Sequence, residues 1–497
     1  MSLANAQVPP LSATESARRT AAWSLIVAAL LAVFYLVTSI VIASHRLLWY
    51  DEIFAVTISR LPSLAAIWQA MAHASDLLPP TYYMLIRLFE APFGPAEVGA
   101  RLPSALAMVA GMLIVFDCTR RLSDGLHGLI AFAILTCSSL PYYGYEARSY
   151  ALFFMFAALA LWIWIHGGDS KRSAVLFGVV IFLAVAVHYY AVLCLVPYAA
   201  WEVWAGKMRP LPSAKLIAGC IGVLCAAALF FQQIQALRGL VGDFWATPTT
   251  LALAALFSDF FPYGGLLLML IVLWVALAGN NEGNTVVEAM APPERLSWLF
   301  ILIPLTGFVL AKLVTHAFFS RYFMGLLPGI AVASACLLWR NFSSAPKVSL
   351  GIAILLLLFG VNQQVGVLQH PERIDPWGGQ QTKTRAMMRL EDSTALGQAS
   401  YIVVPVNGLL GVEGYYYTKH PERYVFLIDP HVNSTGSVLV NLGKESGMRF
   451  WTVDELAAHA HEALLIEPSR ETLNGLQEAG LRPKGRFAEG LEIVSFE

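Results

Sequence analysis

Runs of apolar residues alternate with short polar segments over about the first three quarters of the chain. A helix needs roughly 20 predominantly apolar residues to cross the hydrocarbon core of a bilayer. The pattern predicts about eleven membrane-spanning helices, at roughly 21–43, 103–119, 127–143, 150–166, 173–191, 192–206, 216–233, 262–279, 297–314, 325–339 and 348–366. The sixth and the tenth of these stretches are short.

The first apolar stretch begins soon after two arginines, Arg18 and Arg19, and continues to about Ala43. It is longer than the apolar core of a signal peptide, which has about 7–15 residues. We interpret it as an uncleaved first span, with the N-terminus in the cytoplasm.

Basic residues between the predicted spans fall on one side of the membrane if the spans alternate in direction. They are Arg18, Arg19, Arg120, Arg121, Lys171, Arg172, Lys207, Arg209, Lys215, Arg340 and Lys347. Cytoplasmic loops have an excess of Lys and Arg, so this side is assigned to the cytoplasm. The acidic segment 280–296 falls there too, and acidic residues contribute little to the rule. An odd number of spans then puts everything after about residue 367 outside.

The loop 45–102 lies on the outer side, and its two apolar stretches are interrupted by prolines. This pattern predicts short helices on the membrane surface, because proline interrupts a spanning helix. If the segment 81–89 crossed the membrane, the sidedness of all later loops would invert and the agreement with the positive-inside rule would be lost.

Charged residues, glycine and proline become more frequent after about residue 368. Short apolar runs there predict strands, and two segments preceded by capping hydroxyls predict helices. The predicted strands are Tyr401–Val406, Tyr424–Ile428 and Leu491–Phe496, and the predicted helices are Thr452–Ala463 and Ser469–Ala479. We expect a membrane module over 1–367 and a small α/β domain over 368–497.

The composition agrees with this division, since 57% of the 497 residues are hydrophobic and 13% are charged, and the mean hydropathy is +0.63. A soluble domain has roughly 25% charged residues. The predicted fold class is a polytopic α-helical membrane protein with a small C-terminal extracytoplasmic α/β domain.

Several function classes are excluded or disfavoured by the sequence. The net charge of −1 provides no basic field for nucleic acid. The chain contains no P-loop, no dinucleotide-binding G-x-G-x-x-G after a strand and no H-E-x-x-H. The six cysteines lie in apolar stretches without zinc-site spacing, at Cys118, Cys137, Cys194, Cys220, Cys225 and Cys336.

Two adjacent carboxylates, Asp51 and Glu52, follow the first span. Carboxylates at the edge of a bilayer are costly unless they have a partner or a function. One of them can act as general base on an acceptor hydroxyl. The alternative is a salt bridge that ties this loop to Arg101 or Arg148.

The polar turn 73–83 contains a double proline that ends one helix and starts another. We expect His73, Asp76 and Tyr82 to line an acceptor pocket there. An ordinary polar turn with aromatic residues at the membrane interface is the alternative.

The segment 142–150 places an acid, an arginine and four tyrosines in one short outer turn. Residues two apart do not face each other on a helix, so Glu146 and Arg148 are expected to point into a shared cavity with Tyr145. A structural ion pair is the alternative.

Further candidates lie at the outer ends of other predicted spans. A guanidinium group holds phosphate bidentately and stays protonated, so Arg321 and Arg101 are candidate phosphate ligands. His188, Tyr189 and Tyr322 are candidate pocket residues. The alternatives are arginines that extend to the interface and a histidine buried in the core.

Five motifs taken in order resemble those of the GT-C superfamily of polyprenyl-phosphate-sugar glycosyltransferases. They are most similar to the branch of the lipid A aminoarabinose transferases and protein O-mannosyltransferases. The motifs are Trp49-Tyr50-Asp51-Glu52, Leu78-Pro79-Pro80-Thr81-Tyr82-Tyr83, Arg101-Leu102-Pro103-Ser104-Ala105, Tyr145-Glu146-Ala147-Arg148-Ser149-Tyr150-Ala151-Leu152 and Ser320-Arg321-Tyr322. Their order and their common outer side make the set specific, and it covers about residues 1–365.

The resemblance implies a catalytic carboxylate in the first outer loop, matched by Asp51 with Glu52 as second candidate. It also implies basic residues that hold the leaving phosphate, matched by Arg148, Arg321 and, less closely, Arg101. It further implies an extracytoplasmic active site in a bacterial inner membrane. The donor would be a sugar on a polyprenyl phosphate, and the acceptor a hydroxyl of lipid A, polysaccharide, another envelope glycoconjugate or a protein.

One departure from the family pattern concerns the donor. Several relatives have a basic residue directly before the paired prolines, where this chain has Leu77 and Leu78. That phosphate contact is missing here or comes from another residue, for which His73 is a candidate. The departure weakens a specific assignment to aminoarabinose transfer.

Two other function classes compete with a transferase. A lipid or glycolipid transporter predicts charges deep within spans and repeat symmetry, whereas nearly all charges here lie at span ends and no repeat is visible. A ligand sensor built on the outer α/β domain would need a cytoplasmic output domain, which we do not recognise.

No cofactor is expected to be required, because the lipid carrier delivers an activated sugar. A divalent cation, Mg²⁺ or Mn²⁺, would prefer oxygen ligands such as Asp51 and Glu52. The sequence offers no obvious third ligand.

Overall fold

The computed structural model of the protein describes residues 11–93, 96–204, 212–240, 246–278, 290–371, 380–391, 399–428 and 434–496. The basic residues Lys207 and Arg209 and most of the predicted acidic segment 280–296 lie outside the described residues.

Helices form the apolar part of the chain, as expected for backbone that must satisfy its own hydrogen bonds in lipid. The first helix and the short helices of the outer loop are α1 (Leu11–His45), α2 (Tyr50–Ser59), α3 (Leu64–Ala72), α4 (Thr81–Glu90) and α5 (Ala96–Gly99). The following helices are α6 (Leu102–Leu122), α7 (Gly125–Thr136), α8 (Leu140–Gly144), α9 (Tyr150–His166), α10 (Lys171–Val187), α11 (Leu195–Trp204), α12 (Ala214–Leu229), α13 (Phe231–Arg238), α14 (Thr250–Phe260), α15 (Gly265–Ala278), α16 (Pro292–Trp298), α17 (Leu302–Leu310), α18 (Leu327–Phe342) and α19 (Pro346–Gln369).

Five stretches of the described chain are long and apolar enough to cross a membrane. They are Ala22–His45, Glu97–Leu122, Pro292–Thr315, Ser320–Phe342 and Pro346–Gln369. Two helix pairs, α12 with α13 and α14 with α15, are bent by 69° and 84°, and they raise the number to seven if each pair is one span. Each of the eleven predicted stretches contains a helix, but the count of eleven spans stays a prediction.

Several of the predicted spans are interrupted, among them the stretch 216–233, which bends by 69° between α12 and α13. The stretch 127–143 breaks between α7 and α8, and α10 ends at Val187 because His188 adopts an extended conformation with φ −156° and ψ 119°. In the outer loop, α4 has 10 residues and is therefore about 15 Å long, half the thickness of the hydrocarbon core. Helix α4 is too short to cross a membrane by itself.

The C-terminal part contains a six-stranded sheet in the order β3-β2-β1-β4-β6-β5. Its elements are α20 (Gln380–Glu391), β1 (Tyr401–Pro405), α21 (Leu409–Tyr417), β2 (Tyr424–Leu427), α22 (Ser434–Ser446), β3 (Phe450–Trp451), α23 (Val453–Ala458), β4 (Ala463–Ile466), α24 (Arg470–Glu478), β5 (Pro483–Ala488) and β6 (Leu491–Phe496). Strands β3, β2, β1 and β4 are parallel, and β6 and β5 complete the sheet antiparallel.

The predicted strands and helices of this region match the structure except for one helix. Thr452 and Ser469 accept hydrogen bonds from the first turns of α23 and α24, as expected for N-caps. The helix predicted over Thr452–Ala463 ends already at Ala458, because the chain turns there and enters β4.

The two faces of the sheet belong to different apolar clusters, since neighbouring side chains of a strand point to opposite sides. Val403 and Leu465 pack with Leu456 and Leu476 of α23 and α24. Ile402 and other residues of the opposite face join the main core, which continues into the outer loop and the membrane helices. The C-terminal part is therefore packed directly onto the segment that follows the first span.

Candidate active site

A cavity of about 480 Å³ lies between the loop 45–102, the ends of several helices and the C-terminal part. One end of it is charged and contains Asp51, Asp76, Arg148 and Arg321. The rest is mainly apolar, with a wall that includes Val185, Val192, Val223, Ala227, Ile234, Leu237, Leu240, Val314, Leu409 and Val438. The cavity can hold a molecule with a polar head and an apolar tail.

Asp51 lies in the first turn of α2. The residue before this helix, Trp49, has an extended backbone conformation. Its Oδ2 atom is 3.0 Å from Nη2 of Arg321 and 3.9 Å from Nε of Arg148. The structure thus brings together the three residues that the motifs single out first. A carboxylate beside two guanidinium groups provides a proton acceptor next to an anion-binding position.

Arg148 is held from the other side by Asp76. Nη1 of Arg148 lies 2.6 Å from Oδ2 of Asp76, and the same oxygen accepts a hydrogen bond of 2.7 Å from the hydroxyl of Tyr83. Burial alone would lower the pKa of Arg148, but the carboxylates of Asp76 and Asp51 raise it well above its usual value. Arg148 is therefore a fixed positive charge in the cavity wall.

Arg321 lies in the 3₁₀ segment Ser320–Leu326, between α17 and α18. Its guanidinium carbon is 4.9 Å from the ring centroid of Phe319, 5.3 Å from that of Tyr150 and 5.8 Å from that of Trp49. The faces of aromatic rings attract a cation. These rings orient the arginine toward Asp51 without occupying its hydrogen-bond donors.

Glu52 and Arg101 lie outside the cavity, in contrast to the expected catalytic and phosphate-binding roles. Nε of Arg101 donates to Oε1 of Glu52 at 2.7 Å and Nη2 to Oε2 at 2.5 Å, with side chains 1% and 0% exposed. Burial would raise the pKa of Glu52, but Arg101, Arg46 and the backbone N–H of Ala147 lower it. The remaining donors of Arg101 bind the carbonyls of residues 43, 46 and 47. This pair is the salt bridge that the sequence analysis gave as the alternative to a catalytic role, and it fixes the loop.

Three further predicted pocket residues also lie outside the cavity lining. His73 is exposed, and its Nδ1 is 2.8 Å from Oε1 of Glu445. The hydroxyl of Tyr82 is 2.7 Å from that of Ser104 in the buried interior. The ring of Tyr145 packs against another tyrosine. Nδ1 of His73 and the hydroxyl of Tyr82 are engaged in these contacts, and neither residue lines the cavity.

Glu146 lies behind Trp49, which separates it from the cavity. Oε1 of Glu146 accepts a hydrogen bond of 2.9 Å from the indole N–H of Trp49. Burial raises the pKa of Glu146 to about 7, although the nearby Arg321 opposes that shift. Glu146 therefore orients a residue of the cavity wall and is not itself part of the wall.

Four predicted pocket residues do line the cavity, namely Asp76, His188, Tyr189 and Tyr322. Nδ1 of His188 accepts a hydrogen bond of 3.3 Å from the backbone N–H of Tyr190. A neutral imidazole that accepts at Nδ1 carries its proton on Nε2. Nε2 of His188 has no hydrogen-bond partner among the described residues. It is a buried donor without a partner in the described part of the chain, on a residue that lines the cavity.

Some lining residues were missed by sequence reasoning. Tyr150 and Tyr190 are next to predicted candidates, so the motifs could have indicated them. Leu409 and Val438 come from the C-terminal part, where no sequence signal distinguishes them from ordinary core residues. Within the described ranges, no group of three or more His, Cys, Asp or Glu side chains is placed to hold a metal ion.

Known proteins share features of both sequence and fold with this chain. The family model described as dolichyl-phosphate-mannose-protein mannosyltransferase matches residues 78–233. A crystal structure of ArnT from Cupriavidus metallidurans bound to undecaprenyl phosphate matches with a TM-score of 0.62 and 11% identity, over 95% of this chain and 97% of that chain. The apo structure of the same protein gives a TM-score of 0.62 and 12% identity, with the same coverage.

A weaker likeness exists to the oligosaccharyltransferase of Archaeoglobus fulgidus in its apo form, with a TM-score of 0.45 and 11% identity over 88% of this chain and 69% of that chain. No curated protein matches the sequence significantly. The resemblance that the motifs indicated is confirmed as a likeness of sequence over residues 78–233 and as a likeness of fold over most of the chain, which shares the fold of ArnT.

Proposed function

We propose that this protein is an inverting glycosyltransferase that transfers a sugar from a polyprenyl-phosphate donor to a hydroxyl acceptor. The observation on which this depends is the contact of 3.0 Å between Asp51 and Arg321 at the charged end of a largely apolar cavity. ArnT, whose fold this chain shares, has been crystallised with undecaprenyl phosphate.

The donor phosphate would bind to Arg148 and Arg321, and the polyprenyl chain would extend along the apolar wall of the cavity. In the structure, Arg148 contacts Asp76 and Arg321 contacts Asp51. A bound phosphate would either replace these carboxylates as the hydrogen-bond acceptor of the arginine N–H groups or share those groups with them. Guanidinium groups suit this role because their planar donors match phosphate oxygens. The Nε2–H of His188 is a further donor on the same wall.

In the reaction, Asp51 accepts the proton of the acceptor hydroxyl. The oxygen of that hydroxyl attacks the anomeric carbon from the side opposite the phosphate. The new carbon–oxygen bond forms as the bond from the anomeric carbon to the phosphate oxygen breaks. The electron pair leaves with the polyprenyl phosphate, and the configuration at the anomeric carbon inverts. Arg148 and Arg321 stabilise the charge that grows on the phosphate, at about 3–4 kcal/mol for one such contact.

The proposed mechanism uses no nucleotide and no metal. The two oxygens of Glu52 are taken up by Arg101, Ala147 and Trp49, so the doublet does not present two carboxylates to a cation. Asp76 fixes Arg148 and leaves Asp51 as the carboxylate closest to Arg321.

We place the reaction on the periplasmic side of a bacterial inner membrane, with the N-terminus in the cytoplasm and the C-terminal part outside. The distribution of Lys and Arg between the predicted spans supports this orientation. The acceptor would be lipid A, a polysaccharide, another envelope glycoconjugate or a protein.

The test is transfer by the purified protein in liposomes that contain synthetic polyprenyl-phosphate sugars and candidate acceptors. Mass spectrometry of envelope components from cells with and without the gene identifies which acceptors to supply. A product with inverted anomeric configuration supports the proposal. Movement of the intact lipid-linked sugar across the bilayer, without any transfer, would instead favour the transporter.

A further inference from the structure

We infer that the C-terminal α/β part positions the proposed base, and that Glu413 is the positioning residue through which it acts. The inference rests on the proposed function of Asp51. It assigns a catalytic purpose to a region whose sequence contains no recognisable motif.

The observation concerns three successive backbone N–H groups directly before Asp51. The N–H of Leu48 donates to the hydroxyl of Tyr417 at 2.6 Å, and the N–H of Tyr50 donates to Oε1 of Glu413 at 3.1 Å. Between them, the N–H of Trp49 donates to Glu52 within the loop itself. Two of the three hydrogen bonds thus come from residues more than 300 positions away in the sequence.

The side chain of Glu413 is held in place independently of α2. It is 1% exposed, and its Oε2 atom accepts a hydrogen bond from the hydroxyl of Thr384 in α20. A carboxylate at the N-terminus of a helix satisfies a backbone donor and interacts favourably with the helix dipole. Glu413 therefore caps α2 from outside, where Trp49 provides no hydrogen-bonding side chain to its first turn.

Three residues along one face of α21 contact the cavity, the first turn of α2 or the loop before α2. Leu409, Glu413 and Tyr417 are spaced by four residues and so share one face of the helix. Leu409 lines the cavity, Glu413 binds the first turn of α2, and Tyr417 binds the loop just before it. Val438 of α22 adds a second apolar contact to the cavity wall. The position of α21 therefore sets both the start of α2 and one wall of the cavity.

The consequence for catalysis follows from distance. Asp51 is adjacent to the bonded N–H of Tyr50, and its carboxylate must stay near both Arg321 and the acceptor oxygen. A misplacement of about 1 Å can lower a rate by about 100-fold. Loosening the first turn of α2 should thus reduce kcat much more than it weakens binding of the sugar donor, because the arginines that bind its phosphate remain in place.

The test compares Glu413→Ala, Glu413→Gln and the control Glu445→Ala in the full-length protein. The glutamine amide introduced by Glu413→Gln retains an oxygen that can accept from Tyr50, whereas alanine leaves that N–H without its partner. Glu445 also links the C-terminal part to the outer loop, but its ion pair is with His73, the residue after α3, and not with a residue of α2. We expect Glu413→Ala to lower kcat about 10- to 100-fold with KM for the donor changed less than about threefold. Glu413→Gln should retain most of the rate, and Glu445→Ala should behave as wild type.

Hydrogen exchange provides a readout that is independent of activity. In Glu413→Ala, amides of the peptide 48–59 should exchange faster, while those of 64–72 should be unchanged. If the wild type transfers no sugar, the proposed function fails, and this exchange experiment still decides whether Glu413 fixes α2. Wild-type kcat in Glu413→Ala, unchanged exchange over 48–59, or equal losses in Glu413→Ala and Glu445→Ala would each overturn the inference.

Discussion

The guanidinium Nη2 of Arg321 lies 3.0 Å from the carboxylate Oδ2 of Asp51, and these residues come from opposite ends of the helical part of the chain. Asp51 follows the first apolar helix, while Arg321 precedes one of the last. The contact assembles a proton acceptor and an anion-binding group at one end of an otherwise mainly apolar cavity.

Asp51→Asn should lower sugar transfer by about 10²–10⁴-fold, because an amide cannot accept the acceptor's proton. The variant should retain normal expression and thermal stability. Asp117→Asn is a matched control, since Asp117 pairs with Arg120 and Arg121 at the opposite end of α6. Initial rates in liposomes measure the effect. A fully active Asp51→Asn enzyme would refute the assignment of the base.

Arg321→Ala should lower kcat by about 10²–10³-fold, since the growing charge on the phosphate loses a donor. Arg321→Lys should recover only part of that loss, because lysine keeps the charge but not the planar pair of donors. Arg60→Ala removes an arginine that pairs with Glu90 at the surface and should leave the rate unchanged. Steady-state kinetics with varied donor separate kcat from KM. Equal rates for Arg321→Ala and Arg60→Ala would contradict a phosphate contact.

The sequence predicted several of the segments that meet at the cavity, but not which side chain of each segment faces it. Adjacent residues of a helix point about 100° apart. Asp51 and Glu52 therefore face different directions, and only the packing of α2 determines which one reaches the cavity. Glu146 and Arg148 lie in the turn between α8 and α9, and of these two only the arginine lines the wall.

The contribution of the C-terminal part could not be predicted at all. Three of its six strands, β1, β2 and β6, were predictable because short apolar runs bounded by polar turns are a local signal. The contacts of Glu413 and Leu409 depend on how one helix docks against α2, which no local pattern indicates. The span 173–191 was predicted too long, because no change in the apolar pattern marks His188 as the residue at which the chain leaves the helix.

Glu52→Gln should destabilise the protein rather than alter its chemistry. Removing one partner of a buried ion pair leaves the other charge unpaired and costs about 3–5 kcal/mol. Arg101→Met should cost a similar amount, and the double variant should lose less than the sum of the two. Unfolding in detergent micelles measures these effects. If Glu52→Gln were as stable as the wild type but inactive, a catalytic role for Glu52 would have to be restored.

Stability should depend on the protonation of Glu146. Burial raises its pKa to about 7 from the ordinary value of 4.5, so the folded protein binds a proton that the unfolded chain has released between these values. The wild type should therefore lose stability as the pH rises from about 4.5 to 7, by roughly 3 kcal/mol, and no more above that range. Glu146→Gln keeps a hydrogen-bond acceptor for Trp49 and should lack this loss. Unfolding temperatures of both proteins at pH 5 and pH 8 test it, and parallel changes would contradict it.

His188→Gln should retain more activity than His188→Asn or His188→Phe. The proton of the neutral imidazole is on Nε2, because the N–H of Tyr190 donates to Nδ1. The amide nitrogen of glutamine reaches about as far as Nε2 and can donate to the same bound oxygen, whereas that of asparagine corresponds to Nδ1. Phenylalanine keeps the stacking of 5.2 Å on Phe153 but has no donor. The KM values of the three variants for the sugar donor decide between hydrogen bonding and packing as the role of His188. If His188→Phe were as active as the wild type, His188 would serve only as a packing residue.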